Sequence, residues 1–152
     1  MTEEVEIRYY DIPYKNLGVY WSPSKTVYIY EGLKKYPKLH RTILDHEVKH
    51  YINQNSDRHV LIKMLTDVYR EWRDCWKTAF DKELRNEVKQ FSANFEDNRS
   101  IDLKQLMNHL NEIKPSFETM IYTKILSLLR PDSSFVKFLI IVGLLIEFLI
   151  LF

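Results

Sequence analysis

Between Asp57 and Phe95 the chain runs without a Gly or a Pro, and apolar side chains recur every three or four residues: Leu65, Tyr69, Trp72, Trp76, Phe80, Leu84, Val88, Phe91 and Phe95. That spacing matches the 3.6-residue helical period. It predicts one extended amphipathic helix, or two nearly collinear ones, with the aromatic stripe turned to the core. A chain of 152 residues with so long a helical stretch and only three Gly cannot be a turn-rich all-β fold, and it has room for one ordinary domain. Upstream, Glu6 to Ile12, Leu17 to Trp21 and Thr26 to Glu31 are rich in Tyr, Val and Ile. Turn-forming residues separate them at Pro13–Asn16 and Ser22–Lys25, which predicts a three-stranded meander. Thr26 to Tyr30 alternates aliphatic and aromatic faces, as a half-buried strand does. Pro37 suits the first turn of a helix reaching about Asn53, and Ser56 or Asp57 can cap the next one. Two further helices are expected, Ile101 to about Lys114 and Ser116 to Leu129, split at Pro115. The expected class is α+β: a small N-terminal sheet, a mainly helical body and a C-terminal apolar helix.

That last helix is the second strong feature. Residues 135–152 read FVKFLIIVGLLIEFLILF, with only Lys137 and Glu147 charged. As a helix the segment spans about 27 Å, just under the thickness of a bilayer's hydrocarbon core. It is therefore expected to be a tail anchor, with a self-docking apolar helix as the alternative. Asp132, Ser133 and Ser134 form a polar hinge behind Pro131, dividing a body at 1–130 from a hinge and anchor at 131–152. Arg130 and Lys137 at the entrance favour a cytoplasmic body. The N-terminus, MTEEVEIRYY, lacks the basic and apolar regions of a signal peptide. A formal net charge of +1 argues against a nucleic-acid partner, because phosphate binding calls for a basic excess. One cysteine, Cys75, excludes an internal disulfide and a Cys-based zinc knuckle, and it is placed near the core stripe between Trp72 and Trp76.

The chemistry is carried by the helix after the sheet, which contains His46-Glu47-Val48-Lys49-His50. His46 and His50 lie one helical turn apart on one face, so both imidazoles can reach one Zn²⁺. Glu47 is rotated about 100° from His46 and can address a water on that ion as general base, passing the proton to a leaving amine. With five His and twelve Glu in the chain, the pattern is expected by chance only roughly 0.01 times. Ile43, Leu44, Val48, Tyr51 and Ile52 make the surroundings apolar; Lys49 departs from this, with a stem long enough to carry its ammonium to water.

A catalytic zinc site needs a third protein ligand and an open position. No HExxHxxGxxH continuation exists, since Asn53 and Gln54 follow without a Gly or a spaced His. The remaining donors are carboxylates on the next helix, where Asp67, Glu71 and Asp74 share a face. Glu71, with its longer arm, and Asp67, more nearly level with the histidines, are both open as ligands. Asp74 is then a partner for a histidine's outer nitrogen. A solvated acidic stripe paired with Lys63, Arg70 and Lys77 is the bland alternative. His40, His59 and His109 are expected to lie away from any site.

A sheet, an HExxH helix and a following helix that carries Glu together resemble the gluzincin zinc metallopeptidases, and the small size resembles the archaeal minigluzincins. The resemblance covers about residues 6 to 80. It implies His46, His50 and Glu71 as zinc ligands and Glu47 as general base. It also implies an edge strand that binds peptide substrate by β-augmentation, a place occupied here by Thr26, Val27, Tyr28, Ile29 and Tyr30. Latency through a terminal segment after residue 100 is a further implication. Two function classes follow: a membrane-anchored zinc endopeptidase, and a non-catalytic, tail-anchored helical binding module whose HExxH holds a structural metal or none.

Overall fold

The computed structural model describes residues 5–12, 16–95, 103–110, 112 and 116–141. They form an α+β fold with a three-stranded mixed sheet and a mainly helical body. In chain order these are β1 (Glu6–Tyr10), β2 (Gly18–Trp21), β3 (Thr26–Tyr30), a short 3₁₀ helix (Glu31–Lys35), α1 (Pro37–Gln54), α2 (Val60–Phe80), α3 (Lys82–Asn94), α4 (Leu103–His109) and α5 (Phe117–Leu129). Residues 134–141 are also helical.

The sheet is not a meander. Its order is β1-β3-β2, with β1 parallel to β3 and β2 antiparallel to it. Only the β2–β3 link is a hairpin; its turn closes through Lys25 N–H to Ser22 O at 3.3 Å, with Lys25 at φ 53. Seven residues separate β1 from β2, more than a two-residue hairpin turn, so nothing local fixes β2 beside β1, and β3 takes the central place between them. As the central strand, β3 is covered on both faces rather than one. Val27 and Ile29 pack with Leu33, Leu39, Leu84 and Phe91 from the 3₁₀ helix, α1 and α3. Tyr28 joins Tyr10, Trp21, Leu106 and Met107 beneath α4.

Helix α1 opens on Pro37, as expected, and α3 packs across it: Leu39 N–H donates to Glu87 Oε2 at 2.7 Å, and Lys38 bridges Asp81 and Glu83. The long periodic stretch is two helices. Asp81, at extended φ and ψ, ends α2 and caps α3 by accepting Leu84 N–H at 3.0 Å. The cap of α2 is His59, whose Nδ1 accepts Leu61 N–H at 3.3 Å, rather than Ser56 or Asp57.

The stripe expected in the core divides at that break. On α3, Leu84 and Phe91 are buried. On α2, Leu65 (66% exposed), Tyr69 (66%), Trp76 (58%) and Phe80 (77%) face outward, and Cys75 is exposed beside them. The reason is that α2 turns its polar face to α1, as described below. Among the described residues no helix is long and apolar enough to cross a membrane. Residues 142–152 of the expected anchor lie outside the described residues.

Candidate metal centre

Helices α1 and α2 run antiparallel and are joined by a ladder of polar contacts. Asn53 Nδ2 donates to Lys63 O (2.7 Å) and to Asp67 Oδ1 (2.8 Å), His50 Nδ1 meets Asp67 Oδ1 (3.2 Å), and His46 Nδ1 meets Asp74 Oδ2 (2.8 Å). Arg70 adds a bond to Lys49 O at 2.7 Å. His46 and His50 are one helical turn apart on α1, and Asp67 and Asp74, two turns apart on α2, flank them from either end, so each histidine has its own carboxylate.

With both outer nitrogens engaged, the inner nitrogens turn toward one point. His46 Nε2 and His50 Nε2 are 3.0 Å apart, and Glu71 Oε1 lies 3.2 Å from the first and 3.8 Å from the second. These atoms form the cluster of His, Cys, Asp and Glu donors that is close enough to hold one ion among the described residues. Zn–N and Zn–O bonds near 2.0–2.1 Å in tetrahedral geometry require ligand separations of about 3.3 Å, and the three distances bracket that value. The donor set suits Zn²⁺, a borderline-soft ion that accepts imidazole and carboxylate.

Electrostatics supports the same reading. With a single proton on each imidazole, held at Nδ1 by its carboxylate, both Nε2 atoms would offer lone pairs beside the Glu71 oxygen around one position. Such a site demands a cation, either a proton or a metal. Burial alone would lower the histidine pKa values, but the carboxylates outweigh it. His46, bonded to Asp74 and Glu71, is raised to about 9, and His50, bonded to Asp67 and Glu71, to about 10. Glu71 moves the opposite way: burial opposes its charge, yet the two histidines and then Arg130 hold it far below the usual carboxylate range. Asp67 and Asp74 are lowered against burial by their histidines in the same manner.

Asp67 therefore does not stand where a third ligand would. It is 0% exposed and accepts from His50, Asn53 and the Tyr122 hydroxyl, the last at 2.6 Å on Oδ2. Tyr122 and Arg130, whose Nε lies 3.7 Å from Glu71 Oε2, come from α5 and the residue after it. Trp72 Nε1 donates to Leu129 O at 3.3 Å and ties that end of α5 to α2. No local pattern in the sequence marks Tyr122 or Arg130, because each reaches the site only through the docking of α5.

Glu47 sits beside the cluster, close enough to favour the charged form of both histidines, and its Oε2 accepts Tyr20 N–H at 2.8 Å. That contact locates the free edge of the sheet. Tyr30 N–H bonds Leu17 O, so the antiparallel alternation directs Leu17, Val19 and Trp21 toward β3 and Gly18 and Tyr20 away from it. The strand expected to receive substrate, Thr26–Tyr30, is instead paired on both sides and has no free edge. Beside the HExxH helix the open edge belongs to β2. Close approach of β2 to α1 depends on Gly18, where an added Cβ would stand 2.7 Å from Ile43 Cγ2 and 2.8 Å from Glu47 Cγ.

The other histidines are elsewhere, as expected. His40 stacks on Tyr9, His59 caps α2, and His109 lies 3.6 Å from Asp11. Comparison with protein-family models, curated proteins and solved structures returns no match.

Proposed function

We propose that the chain is a zinc-dependent endopeptidase of the gluzincin kind, with His46, His50 and Glu71 as zinc ligands and Glu47 as general base. The supporting observation is the convergence of His46 Nε2, His50 Nε2 and Glu71 Oε1 while both outer nitrogens are held by Asp74 and Asp67. Three protein donors among the described residues, rather than four, leave the open position that a catalytic zinc needs, which favours the enzyme over the binding module with a structural metal. A bound Zn²⁺ would polarise the scissile carbonyl and lower the pKa of water at that position.

The chain's own residues do the rest. The outward N–H and C=O groups of Gly18 and Tyr20 pair with an extended peptide as an added strand, which replaces Thr26–Tyr30 in that role. A peptide carbonyl that takes the Tyr20 N–H frees the Glu47 carboxylate. Glu47 then accepts a proton from the attacking water and returns it to the leaving amine. Residues 135–152 attach the body to a membrane, with the body on the cytoplasmic side.

Zinc stoichiometry of the full chain beside His46→Ala, Glu71→Ala and Glu47→Ala tests the assignment, together with hydrolysis of a fluorogenic peptide library. Zinc is lost in the first two variants, and in Glu47→Ala hydrolysis disappears while zinc stays. Unchanged zinc in Glu71→Ala removes that ligand. Retained zinc without hydrolysis by the wild-type protein favours the binding module.

A further inference from the structure

The outer face of α2 is the least expected surface of this molecule. Leu65, Tyr69, Trp72 and Trp76 each lie two positions before Asp67, Glu71, Asp74 and Thr78, about 200° around the helix from them. One face of α2 thus carries the carboxylates of the candidate metal centre, and the opposite face is an apolar row that no described residue covers except at Trp72. Trp76 and Phe80 stack at 5.6 Å at the end of that row. Across the Trp72–Leu129 contact, α5 presents a second exposed row, Phe117, Met120, Ile121, Ile125 and Leu128.

Which occupant this surface takes is decided by the helical run at 134–141. Phe138, Leu139, Ile140 and Ile141 are consecutive and all exposed, at 60%, 48%, 49% and 56%. Four consecutive helical positions point in directions about 100° apart, so this turn is apolar all the way round. A docked protein covers one side of such a helix; hydrocarbon covers every side. Residues 142–152 continue the apolar run with Glu147 as the only charge.

We propose that the outer faces of α2 and α5 lie against a lipid bilayer, together with the apolar helical turn at 138–141. The membrane contact is then a face of the body and not a tether alone. The candidate metal centre stands one helix thickness, about 10 Å, from the lipid, on the far side of α2. This extends the proposed peptidase reading by naming its substrate class: a peptide segment next to the membrane surface. The aromatic residues Tyr69, Trp76 and Phe80 suit the interfacial zone.

Tryptophan emission reads the proposal directly, since Trp21 is buried under α4, Trp72 is half-buried against α5 and Trp76 is open. The full chain is mixed with phosphatidylcholine–phosphatidylglycerol vesicles whose acyl chains are brominated or not, and the vesicles are floated. The expected result is co-flotation with a loss of roughly half the emission in brominated vesicles, most of which vanishes in Trp76→Phe. Leu65→Glu, folded by circular dichroism, reduces the quenching. Flotation without quenching overturns the proposal and leaves a tail tether. Absence of flotation overturns it too, as does self-association in vesicle-free buffer that shields Trp76 from a soluble quencher, which assigns the face to a second copy. Zinc content, measured on the same samples, reports the metal reading independently.

Discussion

Asp74 and Asp67 show what single residues do in this molecule. Both were legible as members of an acidic helix face, but the sequence left Asp67 open as a ligand because helix periodicity does not say how deeply two helices interlock. The hydrogen bonds separate the three carboxylates: Asp67 and Asp74 each accept from an outer nitrogen, and among them only Glu71 reaches the inner ones. Replacing Asp74 by Asn keeps the shape and removes the charge that makes His46 Nε2 basic. Zinc affinity is expected to fall about 10- to 100-fold in Asp74→Asn, measured by competition with a chromophoric chelator. An unchanged affinity would show that His46 is not a ligand oriented through Asp74. Tyr122 and Arg130 were not legible at all, since the contacts that bring them to the site span more than fifty residues of chain.

At the level of elements, the β2–α1 contact does the most to shape the site. The sequence placed three strands and the motif helix correctly, yet it put the sheet's open edge on the wrong strand, because strand order depends on which loops close as hairpins. Ser22–Lys25 closes β2 and β3 as a hairpin while β1 pairs with β3 and not with β2, so β3 is central and β2 lies at the edge beside Glu47. Gly18 is what lets that edge approach. In Gly18→Ala the new methyl meets Ile43 and Glu47, and the strand has to withdraw or Glu47 has to move. The expected outcome is a loss of about 1–3 kcal/mol in urea denaturation together with lower peptidase activity at undiminished zinc content. Wild-type stability in this variant would mean that β2 is not held against α1 as described.

The whole molecule is organised around α2, a helix polar on the face toward α1 and apolar on the other. Packing α2 by its polar side puts two histidines and three carboxylates in a partly buried layer, and the pH dependence of global stability follows. In chelator-treated protein the histidine pKa values are raised in the folded state, to about 9 and about 10, against 6.5 for the ordinary side chain. Their stabilisation is therefore complete below about pH 6.5 and is lost as the pH rises through 9 and 10. The carboxylates Glu71, Asp67 and Asp74 are lowered in the folded state, so their contribution is present above about pH 4 and is lost as the pH falls. Thermal midpoints of the metal-free chain should therefore be highest between about pH 4.5 and 6.5 and decline on both sides. Zinc, if held by His46, His50 and Glu71, would take the place of the inner protons, and the decline between pH 7 and 10 should then flatten. A metal-free midpoint that rises over that interval would contradict the buried histidine–carboxylate layer.

Periodicity and local chemistry, which are properties of neighbouring residues, were sufficient for the α+β class, for the motif helix from Pro37, for the helical content from Val60 onward and for the His46-Glu47-His50 constellation. They could not decide strand order, the face by which α2 packs, or the residues that α5 brings to Asp67 and Glu71. Each of those depends on contacts between segments far apart in the chain. The apolar row from Leu65 to Phe80 shows this most clearly. A hydrophobic stripe says that one face of a helix avoids water, and only the tertiary structure says that the protein's own core is not what covers it.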